Sequence, residues 1–320
     1  MSDTGTMYNQ QGLPLIVVDN AQCQAVIALQ GAHILEFKRK SVDGTIATPL
    51  LWLSPNAIFA PGKAVRGGVP LCFPWFGPHA LVANAPQHGF ARIRTWRLVR
   101  AVGTGDTTEL VFSLTSSSET LELYPHEFTA ELLFSLGESL SFELTVSNTG
   151  TSTMPVGWAL HSYFPVSDTA TATVPELVGS EYLDQTDNAR IKRLARNLDF
   201  SRHTDAVFTQ SPDAITLVRP EGNIEISTEN APTTVVWNPC NLANTMADLG
   251  PGTQQQFVCV ERGVAFGDCW QVAAGDSTRA AMRLCMVPVQ VLPDTDVRYG
   301  TCNPAQPGGT TDCHTRECGL

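Results

Sequence analysis

The stretch FTAELLFSLGESLSFELTVSN, residues 128–148, decides the fold class of this chain. It consists of two runs in which apolar and polar residues alternate, separated by Gly137-Glu138. Alternation with a period of two is typical of a strand that buries one face, and a glycine-containing break between two such runs is typical of a hairpin turn. The stretch therefore predicts two neighbouring antiparallel strands.

Runs of the same character recur on both sides of this hairpin. They predict further strands at residues 13–18, 25–29, 33–37, 109–114, 233–238, 256–261 and 281–292. Pro288 in the last run indicates an edge strand or a bulge, because proline cannot donate a hydrogen bond to a neighbouring strand. Helical patterns are scarce, and short helical turns are expected only near residues 118–124 and 184–194.

The spacing of these strands predicts the architecture. Many short strands joined by connections rich in glycine and proline indicate an all-β fold, a large antiparallel β-sandwich with few short helices. Neither a fixed-period repeat nor a Gly/Ser-rich linker interrupts the pattern, so we expect one domain over residues 13–297. Residues 1–12 and 298–320 are expected to form flexible tails.

Composition limits the partners and the location. Of the 320 residues, 43% are hydrophobic and 16% charged, which is ordinary for a soluble globular protein. The sequence lacks an apolar run long enough to span a bilayer and lacks a secretory signal at its N-terminus, so a cytoplasmic location is expected. The final Cys318-Gly319-Leu320 is a weak match to a peroxisomal address, which is the alternative. A net charge of −11 argues against nucleic acid and membrane partners, and nothing in the sequence demands more than a monomer.

The sequence offers no motif for a metal or a cofactor. Nine cysteines without a CxxC pair are expected to be free thiols, and those of the tail, with His314, match no zinc pattern. The histidines form neither HxH nor HExxH, and the phosphate-binding loop, the dinucleotide fingerprint and the serine nucleophile elbow are all missing. We therefore expect chemistry that needs no cofactor.

Charge is distributed unevenly along this acidic chain. Residues 44–105 contain no Asp or Glu but include Lys63, Arg66, Arg92, Arg94, Arg97 and Arg100. Such a segment indicates an anion held at one site, although the last three arginines also fit a chance cluster on a strand face. Arg66 opens RGGVPLCFPWFGP, whose glycines and prolines would fix the backbone and preorganise the guanidinium.

Five polar residues lie in otherwise apolar or breaker-rich segments. They are His88 and Arg92 of PQHGFAR, His161 of WALHSYF, Asp205 of SRHTDAVF and Glu261 of QFVCVERG. Each alone is typical of a hydrogen-bonded core residue or a solvated strand end. Together they supply an acid, a base, a hydroxyl-binding carboxylate and a cation, which suits general acid–base chemistry on a phosphorylated sugar.

Eight segments, in order along the chain, resemble those of one protein family. They are ALQGAH (28–33), LWLSPNAIF (51–59), AVRGGVPLCFPWFGP (64–78), QHGFAR (87–92), ALHSYF (159–164), HTDAVF (203–208), VVWNP (235–239) and FVCVE (257–261). The pattern, from about residue 13 to 290, resembles the glucose-6-phosphate 1-epimerases, the hexose-6-phosphate mutarotases of the aldose 1-epimerase superfamily. The resemblance implies the galactose mutarotase-like supersandwich fold and a hexose 6-phosphate substrate.

The resemblance also implies roles for individual residues. His161 corresponds to the general acid at the ring oxygen and Glu261 to the general base at the anomeric hydroxyl. Asp205 is similar to the family carboxylate that binds a sugar hydroxyl.

The remaining roles concern binding. Arg66 and Arg92 occupy the positions of the family arginines around the phosphate, and His88 occupies that of a histidine that contacts the sugar. The order of preference among glucose, galactose and mannose 6-phosphates does not follow from these residues.

Three other functions fit the same residues. A non-catalytic carbohydrate-binding sandwich would bind sugar without exchange of anomers, and a free-aldose 1-epimerase would need no phosphate site. A β-sandwich glycoside hydrolase or lyase is the third, and a hydrolase would use two carboxylates, for which Asp205 and Glu261 are the candidates.

Overall fold

The structure is a computed structural model that describes residues 6–41 and 44–287. These residues form twenty-two strands and one short helix. The first eleven strands are β1 (Thr6–Gln10), β2 (Leu13–Asp19), β3 (Cys23–Ala28), β4 (His33–Lys40), β5 (Ile46–Pro49), β6 (Leu71–Cys72), β7 (Arg97–Gly103), β8 (Thr108–Thr115), β9 (Phe128–Leu136), β10 (Leu140–Asn148) and β11 (Met154–Val156). The others are β12 (Trp158–Leu160), β13 (Tyr163–Pro165), β14 (Glu181–Asp184), β15 (Arg190–Arg193), β16 (Thr204–Phe208), β17 (Ala214–Leu217), β18 (Asn223–Glu229), β19 (Thr233–Asn238), β20 (Phe257–Val264), β21 (Trp270–Val272) and β22 (Ser277–Val287). Helix α1 spans Ser118–Leu123, and six 3₁₀ turns lie at Ala91–Ile93, Thr169–Thr171, Pro175–Leu177, Gln185–Asp187, Cys240–Thr245 and Thr253–Gln255.

Within the described residues the strands form four sheets, and every pairing between named strands is antiparallel. A five-stranded sheet has the order β1-β2-β3-β4-β5, and a seven-stranded sheet has the order β17-β18-β22-β10-β9-β8-β7. An eight-stranded sheet has the order β15-β14-β16-β19-β20-β12-β6, with β13 also paired to β20, and β11 pairs with β21. The predicted all-β antiparallel fold is confirmed.

The hairpin predicted at residues 128–148 is formed by β9 and β10. The two strands pair from Leu136 opposite Leu140 to Phe128 opposite Asn148, and inward residues alternate with partly exposed ones along both. Phe134 and Phe142, which face each other across the pair, pack edge to face with ring centroids 5.3 Å apart. The alternation therefore marks the buried face, as the sequence predicted.

The inward faces of the three larger sheets meet in one hydrophobic cluster. Phe37 comes from the five-stranded sheet, Phe112 and Phe134 from the seven-stranded sheet, and Val236 and Val260 from the eight-stranded sheet, and all are almost fully buried. Because one cluster joins these sheets, the central strands β19 and β20 of the eight-stranded sheet are held from behind.

Strand β20 is buried on both faces along its whole length. Val258 and Val260 belong to the main cluster, whereas Cys259 belongs to a second cluster with Trp52. Glu261 follows on the same face as Cys259, since side chains of a strand alternate between its two faces. The strand therefore presents a carboxylate at the side of the sheet opposite the main core.

Behind Glu261, on the core side, lies a buried arginine. Arg262 is fully buried, and burial lowers its pKa to about 10. Its guanidinium donates hydrogen bonds to the hydroxyls of Ser211, Thr228 and Thr234 and to the carbonyls of Pro212 and Ala231. Thr228 lies in β18 and Thr234 in β19, so this side chain joins two sheets.

The structure differs from the prediction at the N-terminus. Residues 6–10, expected in the tail 1–12, form β1, which pairs with β2. The connection is the two-residue turn Gln11-Gly12, with φ of 50° and 91° at the two positions. Positive φ at both residues is the geometry of the tight hairpin turn that matches the twist of strands, and a Gln-Gly pair signals it less clearly than Asn-Gly.

Two further expectations hold only in part. The short helical turn expected near residues 184–194 is present as the 3₁₀ turn Gln185–Asp187, whereas Arg190–Arg193 pair with Glu181–Asp184 as an antiparallel hairpin. Over its described residues β22 lies between β18 and β10 and is not an edge strand, whereas the bulge that Pro288 also indicated lies outside the described residues. Pro288 itself, the tail 298–320 with its cysteines, and the last tripeptide lie outside the described residues. No helix among the described residues is long and apolar enough to cross a membrane.

Replacing Gly68 by alanine should destabilise the fold strongly. Gly68 has a φ of 62°, and an added Cβ would lie 2.1 Å from the carbonyl oxygen of Ile34. Gly62 has a similar φ of 74° but nothing within 4 Å of the same position, so Gly62→Ala is the matched control. We expect denaturant unfolding to show a loss of about 1–2 kcal/mol for the control and about 2 kcal/mol more for Gly68→Ala. Equal losses in the two variants would contradict the close approach of Gly68 to the carbonyl oxygen of Ile34.

Candidate active site

A cavity of about 490 Å³ lies on the face of the eight-stranded sheet opposite the main core. All six residues singled out from the sequence line it, namely Arg66, His88, Arg92, His161, Asp205 and Glu261. Segments far apart in sequence therefore converge on one pocket. Other residues that line it include Tyr163, Gln185, Trp237 and Asp248.

Strand register places the two acidic candidates on one face. Asp205 of β16 lies opposite Trp237 of β19, and Val235 of β19 lies opposite Glu261 of β20. Because residues two apart on β19 point the same way, both carboxylates face the cavity. His161 lies between β12 and β13, where the chain leaves one strand and enters the next.

The closest contact between candidate catalytic groups joins His161 and Glu261. Nε2 of the histidine lies 3.3 Å from Oε1 of the glutamate, and the two side chains are 7% and 1% exposed. The other polar atoms, Nδ1 and Oε2, are buried and have no hydrogen-bond partner. Burial lowers the pKa of His161 well below its usual value and raises the pKa of Glu261 well above its usual value. The uncharged forms of both groups are therefore accessible at neutral pH.

Aromatic rings hold the His161 imidazole in place. Tyr163 stacks on it with ring centroids 4.8 Å apart and planes 12° apart. The rings of His88 and Trp237 approach edge-on, with centroids at 5.9 and 6.0 Å. The imidazole therefore has one packed orientation and little contact with water.

His88 is a neutral hydrogen-bond donor. Its Nδ1 accepts a hydrogen bond from the backbone N–H of Gly77 at 3.2 Å, which assigns the ring proton to Nε2. Burial, aided by Arg92 and Arg66, lowers the pKa of His88 to about 3, so the ring carries no charge at neutral pH. Its φ of 62° is unusual for a residue with a side chain and indicates a backbone held by its surroundings.

Arg66 is fixed by two side chains. Its Nε donates to Oδ2 of Asp248 at 2.9 Å, and its Nη1 donates to the Tyr163 hydroxyl at 3.1 Å. Tyr163 and Asp248 both raise the pKa of Arg66, which stays charged. Burial raises the pKa of Tyr163, so its hydroxyl keeps its proton, which can be donated into the cavity.

Arg92 differs from Arg66 in its surroundings. It lies in the 3₁₀ turn Ala91–Ile93, and its Nη2 donates to the carbonyl oxygen of Gln87 at 2.8 Å. Within the described residues no carboxylate lies within ion-pair distance of Arg92. Its positive charge therefore faces the cavity without a counter-charge.

The other arginines of the cationic segment do not line this cavity. Arg94 pairs with Glu119, and Arg100 pairs with Glu109. Arg97 and Arg100 lie in β7, the edge strand of the seven-stranded sheet. The alternative of a cluster on a strand therefore fits Arg97 and Arg100, whereas Arg94 lies before the strand, directly after the 3₁₀ turn Ala91–Ile93.

Asp205 and Gln185 are two further polar residues that line the cavity. Burial, with a contribution from Asp184, raises the pKa of Asp205 to about 6. The amide nitrogen of Gln185 is buried and has no hydrogen-bond partner. A sugar hydroxyl can donate to the carboxylate and accept from the amide, so these two groups match such a ligand.

The sequence missed four of the residues that line the cavity. Tyr163 could have been found, because it lies two residues from His161 and therefore on the same side of an extended segment. Trp237 sits in the quoted VVWNP segment but carries no signal of its own. Gln185 and Asp248 come from loops, and nothing in the sequence connects Asp248 with Arg66, 182 residues away.

The described residues contain no group of three or more His, Cys, Asp or Glu side chains that could hold a metal ion. The six described cysteines are unpaired. Two of them, Cys72 and Cys259, are buried close to the cavity, and burial raises the pKa of both thiols.

Comparison with known proteins identifies relatives over most of the chain. The sequence profile of the family described as aldose 1-epimerase matches residues 14–285. A protein of Escherichia coli K12 with the provisional name glucose-6-phosphate 1-epimerase is 37% identical over 79% of this chain and 84% of its own. A Salmonella typhimurium protein with the same provisional name is 35% identical over 86% and 90% of the two chains. The crystal structure of a provisionally named mutarotase from Salmonella typhimurium superposes with a TM-score of 0.81 at 33% identity, over 88% of this chain and 93% of the other.

Replacing Asp205 by asparagine should stabilise the folded protein in a pH-dependent manner. The pKa of about 6 in the folded state exceeds the value of 3.8 for a solvated aspartate, so ionisation of the buried carboxyl opposes folding above pH 6. Below pH 3.8 the group is neutral in both states and the opposition vanishes. We expect Asp205→Asn to raise the free energy of unfolding by about 1–2 kcal/mol at pH 8, and by less at pH 5, in denaturant titrations. A gain that is independent of pH, or a loss at pH 8, would show that the carboxyl is not desolvated. Asp168→Asn, at an exposed turn, serves as the control.

Proposed function

This chain belongs to the aldose 1-epimerase family, and on that basis we propose that it interconverts the α and β anomers of hexose 6-phosphates, with glucose 6-phosphate favoured. The contact between His161 and Glu261, in a cavity that also holds two arginines, is the observation that carries the proposal. The provisional names of two relatives, at 37% and 35% identity, support the same activity.

The geometry of the pair suits the reaction. Ring opening must remove a proton from O1 and deliver one to O5, and both oxygens are bound to C1. A base and an acid that serve these oxygens must therefore be neighbours, as Glu261 and His161 are at 3.3 Å. The unpartnered polar atoms of the pair give further hydrogen-bonding capacity for a bound sugar.

The protons that Glu261 and His161 take up and release are balanced over one cycle. Glu261 takes the proton from O1, the C1–O5 bond breaks with its electrons on O5, and His161 protonates O5. Rotation about C1–C2 presents the other face of the aldehyde. His161 then takes the proton back from O5, O5 attacks C1, and Glu261 returns its proton to O1. The pair holds one exchangeable proton throughout, on His161 before opening and on Glu261 after it, so the cycle needs no proton from water.

The pKa directions fit this exchange. A raised pKa of Glu261 makes its carboxylate a stronger base, and a lowered pKa of His161 makes its protonated ring a stronger acid. Removal of the O1 proton and protonation of O5 require these two properties.

Sugar binding falls to the residues around the pair. The neutral His88 donates from Nε2, Asp205 accepts from a hydroxyl, and the Trp237 ring offers an apolar face for sugar C–H groups. None of the three carries a positive charge, so they read hydroxyls rather than the phosphate. The phosphate falls to Arg92 and Arg66, because charge-assisted hydrogen bonds favour the anionic form of the substrate.

The expected monomeric state and cytoplasmic location stay predictions. The order of preference among hexose 6-phosphates also awaits measurement with each epimer. The hydroxyl-reading groups Asp205 and Gln185 are the first to vary in that comparison.

Glu261→Gln and His161→Gln should slow anomer exchange while leaving the fold intact. Each substitution keeps a polar side chain of similar size but removes a proton-transfer group, which typically contributes about 10²–10⁴-fold to the rate. The measurement is NMR magnetisation transfer between the α and β anomers of glucose 6-phosphate. His126→Gln, at a histidine outside the cavity, is the control and should keep the parent rate. Parental exchange in either test variant would refute the assigned roles, and saturable binding without exchange in the parent would indicate a binding module.

Arg92→Gln should lower kcat/KM for the phosphorylated sugar and leave that for the free sugar nearly unchanged. Its uncompensated charge lies where a phosphate would bind, so we expect kcat/KM for glucose 6-phosphate to fall by about 10-fold or more, with a charge-assisted hydrogen bond lost. The value for free glucose should change by less than about twofold, since a neutral ligand gains little from that charge. Arg94→Gln, two residues away and paired with Glu119, is the matched control. Equal damage to both sugars would favour a free-aldose 1-epimerase instead.

A further inference from the structure

One of the two cavity arginines has its charge offset within the protein. Asp248 accepts a hydrogen bond from Nε of Arg66 at 2.9 Å, and each side chain of this ion pair is 22% exposed. The guanidinium still has N–H groups to donate beyond those used by Asp248 and Tyr163, because it carries five. A phosphate that approaches Arg66 therefore meets hydrogen-bond donors and, next to them, a negative charge.

The backbone holds this carboxylate in place. Ser54 donates its backbone N–H to the carbonyl oxygen of Arg66 at 3.1 Å and its hydroxyl to the carbonyl oxygen of Asp248 at 2.7 Å. The amide of Asn56 donates to the carbonyl oxygen of Leu249, whose side chain is fully buried. One short segment therefore holds the backbone at both members of the ion pair, which keeps the two side chains close to each other.

The two arginines of the cavity thus differ in their hydrogen-bond partners. Arg92 donates to a neutral carbonyl and has no carboxylate within ion-pair distance among the described residues, whereas Arg66 has Asp248. If tight binding of a dianion were the only requirement, the fixed carboxylate would be a disadvantage. Its presence indicates that affinity for the phosphate is limited.

We propose that Asp248 is a specificity-determining residue that weakens the binding of the substrate phosphate at Arg66. The proposal rests on the function proposed above and extends it. Like charges a few ångströms apart repel, and the partial burial of the pair limits screening by water. Since both anomers carry the same phosphate, a weaker hold shortens the residence of substrate and product alike. Asp248 therefore lowers the affinity for substrate and product and speeds their release.

Asp248→Asn tests the proposal, because asparagine keeps an oxygen that accepts from Nε of Arg66 and removes only the charge. We expect the KM for glucose 6-phosphate in anomer exchange to fall by about five- to tenfold. The KM for free glucose should stay within about twofold, since a neutral ligand feels no repulsion. A KM for glucose 6-phosphate that is unchanged or higher would overturn the proposal, as would equal changes for both sugars.

Two variants separate this role from simple support of Arg66. In an Arg66→Gln background Asp248 loses its counter-charge, so the proposal expects Asp248→Asn to lower the KM by at least as much as in the parent. If Asp248 only positions Arg66, the second substitution should have no effect in that background. Ser54→Ala removes the hydroxyl tether and keeps the carboxylate, and it should not lower the KM for the phosphorylated sugar.

Binding of an unreactive ligand keeps this inference separate from the proposed function. Methyl β-glucoside 6-phosphate carries the phosphate but cannot open its ring, and its Kd can be measured by calorimetry for parent and Asp248→Asn. A Kd that falls by about five- to tenfold supports the role of Asp248 even if the parent shows no anomer exchange. Active exchange together with an unchanged Kd overturns the inference and leaves the proposed function intact.

Discussion

The rest of the site depends on one constraint, which is that Glu261 is buried beside His161 and, among the described residues, has no lysine or arginine within ion-pair distance. Transfer of an ionised carboxylate out of water costs several kcal/mol unless it is paired. The fold imposes this cost through β20, which is buried along all eight residues and bordered by β19 on one side and by β12 and β13 on the other. A strand with solvent on one face could not give the carboxyl group its raised proton affinity.

Burial also sorts the charges of the cavity. It removes the charge of His88, whose pKa is lowered to about 3, while the guanidinium group of Arg66, whose pKa is raised, stays charged. His88 can therefore act on neutral sugar oxygens without attracting the phosphate to the wrong end of the cavity. Orientation of the substrate then follows from electrostatics as well as from shape.

The sequence was sufficient for the fold class because the alternation in β9 and β10 reports burial directly. The six candidate residues, which stood out as polar groups in apolar or breaker-rich segments and through the family resemblance, all line one cavity, while their individual roles stay predictions. The sequence failed where the decisive partner is remote or the local signal is weak. Residues 190–193 form a strand because β14 offers a partner, and β1 exists because Gln11 and Gly12 adopt positive φ. The ion pair of Arg66 with Asp248 joins residues 182 positions apart in the chain, so no local sequence pattern predicts it.

The buried guanidinium of Arg262 has a consequence for cooperativity. Its hydrogen bonds reach β18 in one sheet and β19 in another, directly behind the strand position that carries Glu261. Local opening of β20 would leave this cation without acceptors in an apolar interior, which makes partial unfolding more costly than the loss of strand pairing alone. The backbone amides around Glu261 should therefore exchange with solvent only in the global unfolding event. In evolutionary terms, lysine is a poor substitute at position 262, because three donors on one nitrogen cannot satisfy acceptors spread over two sheets.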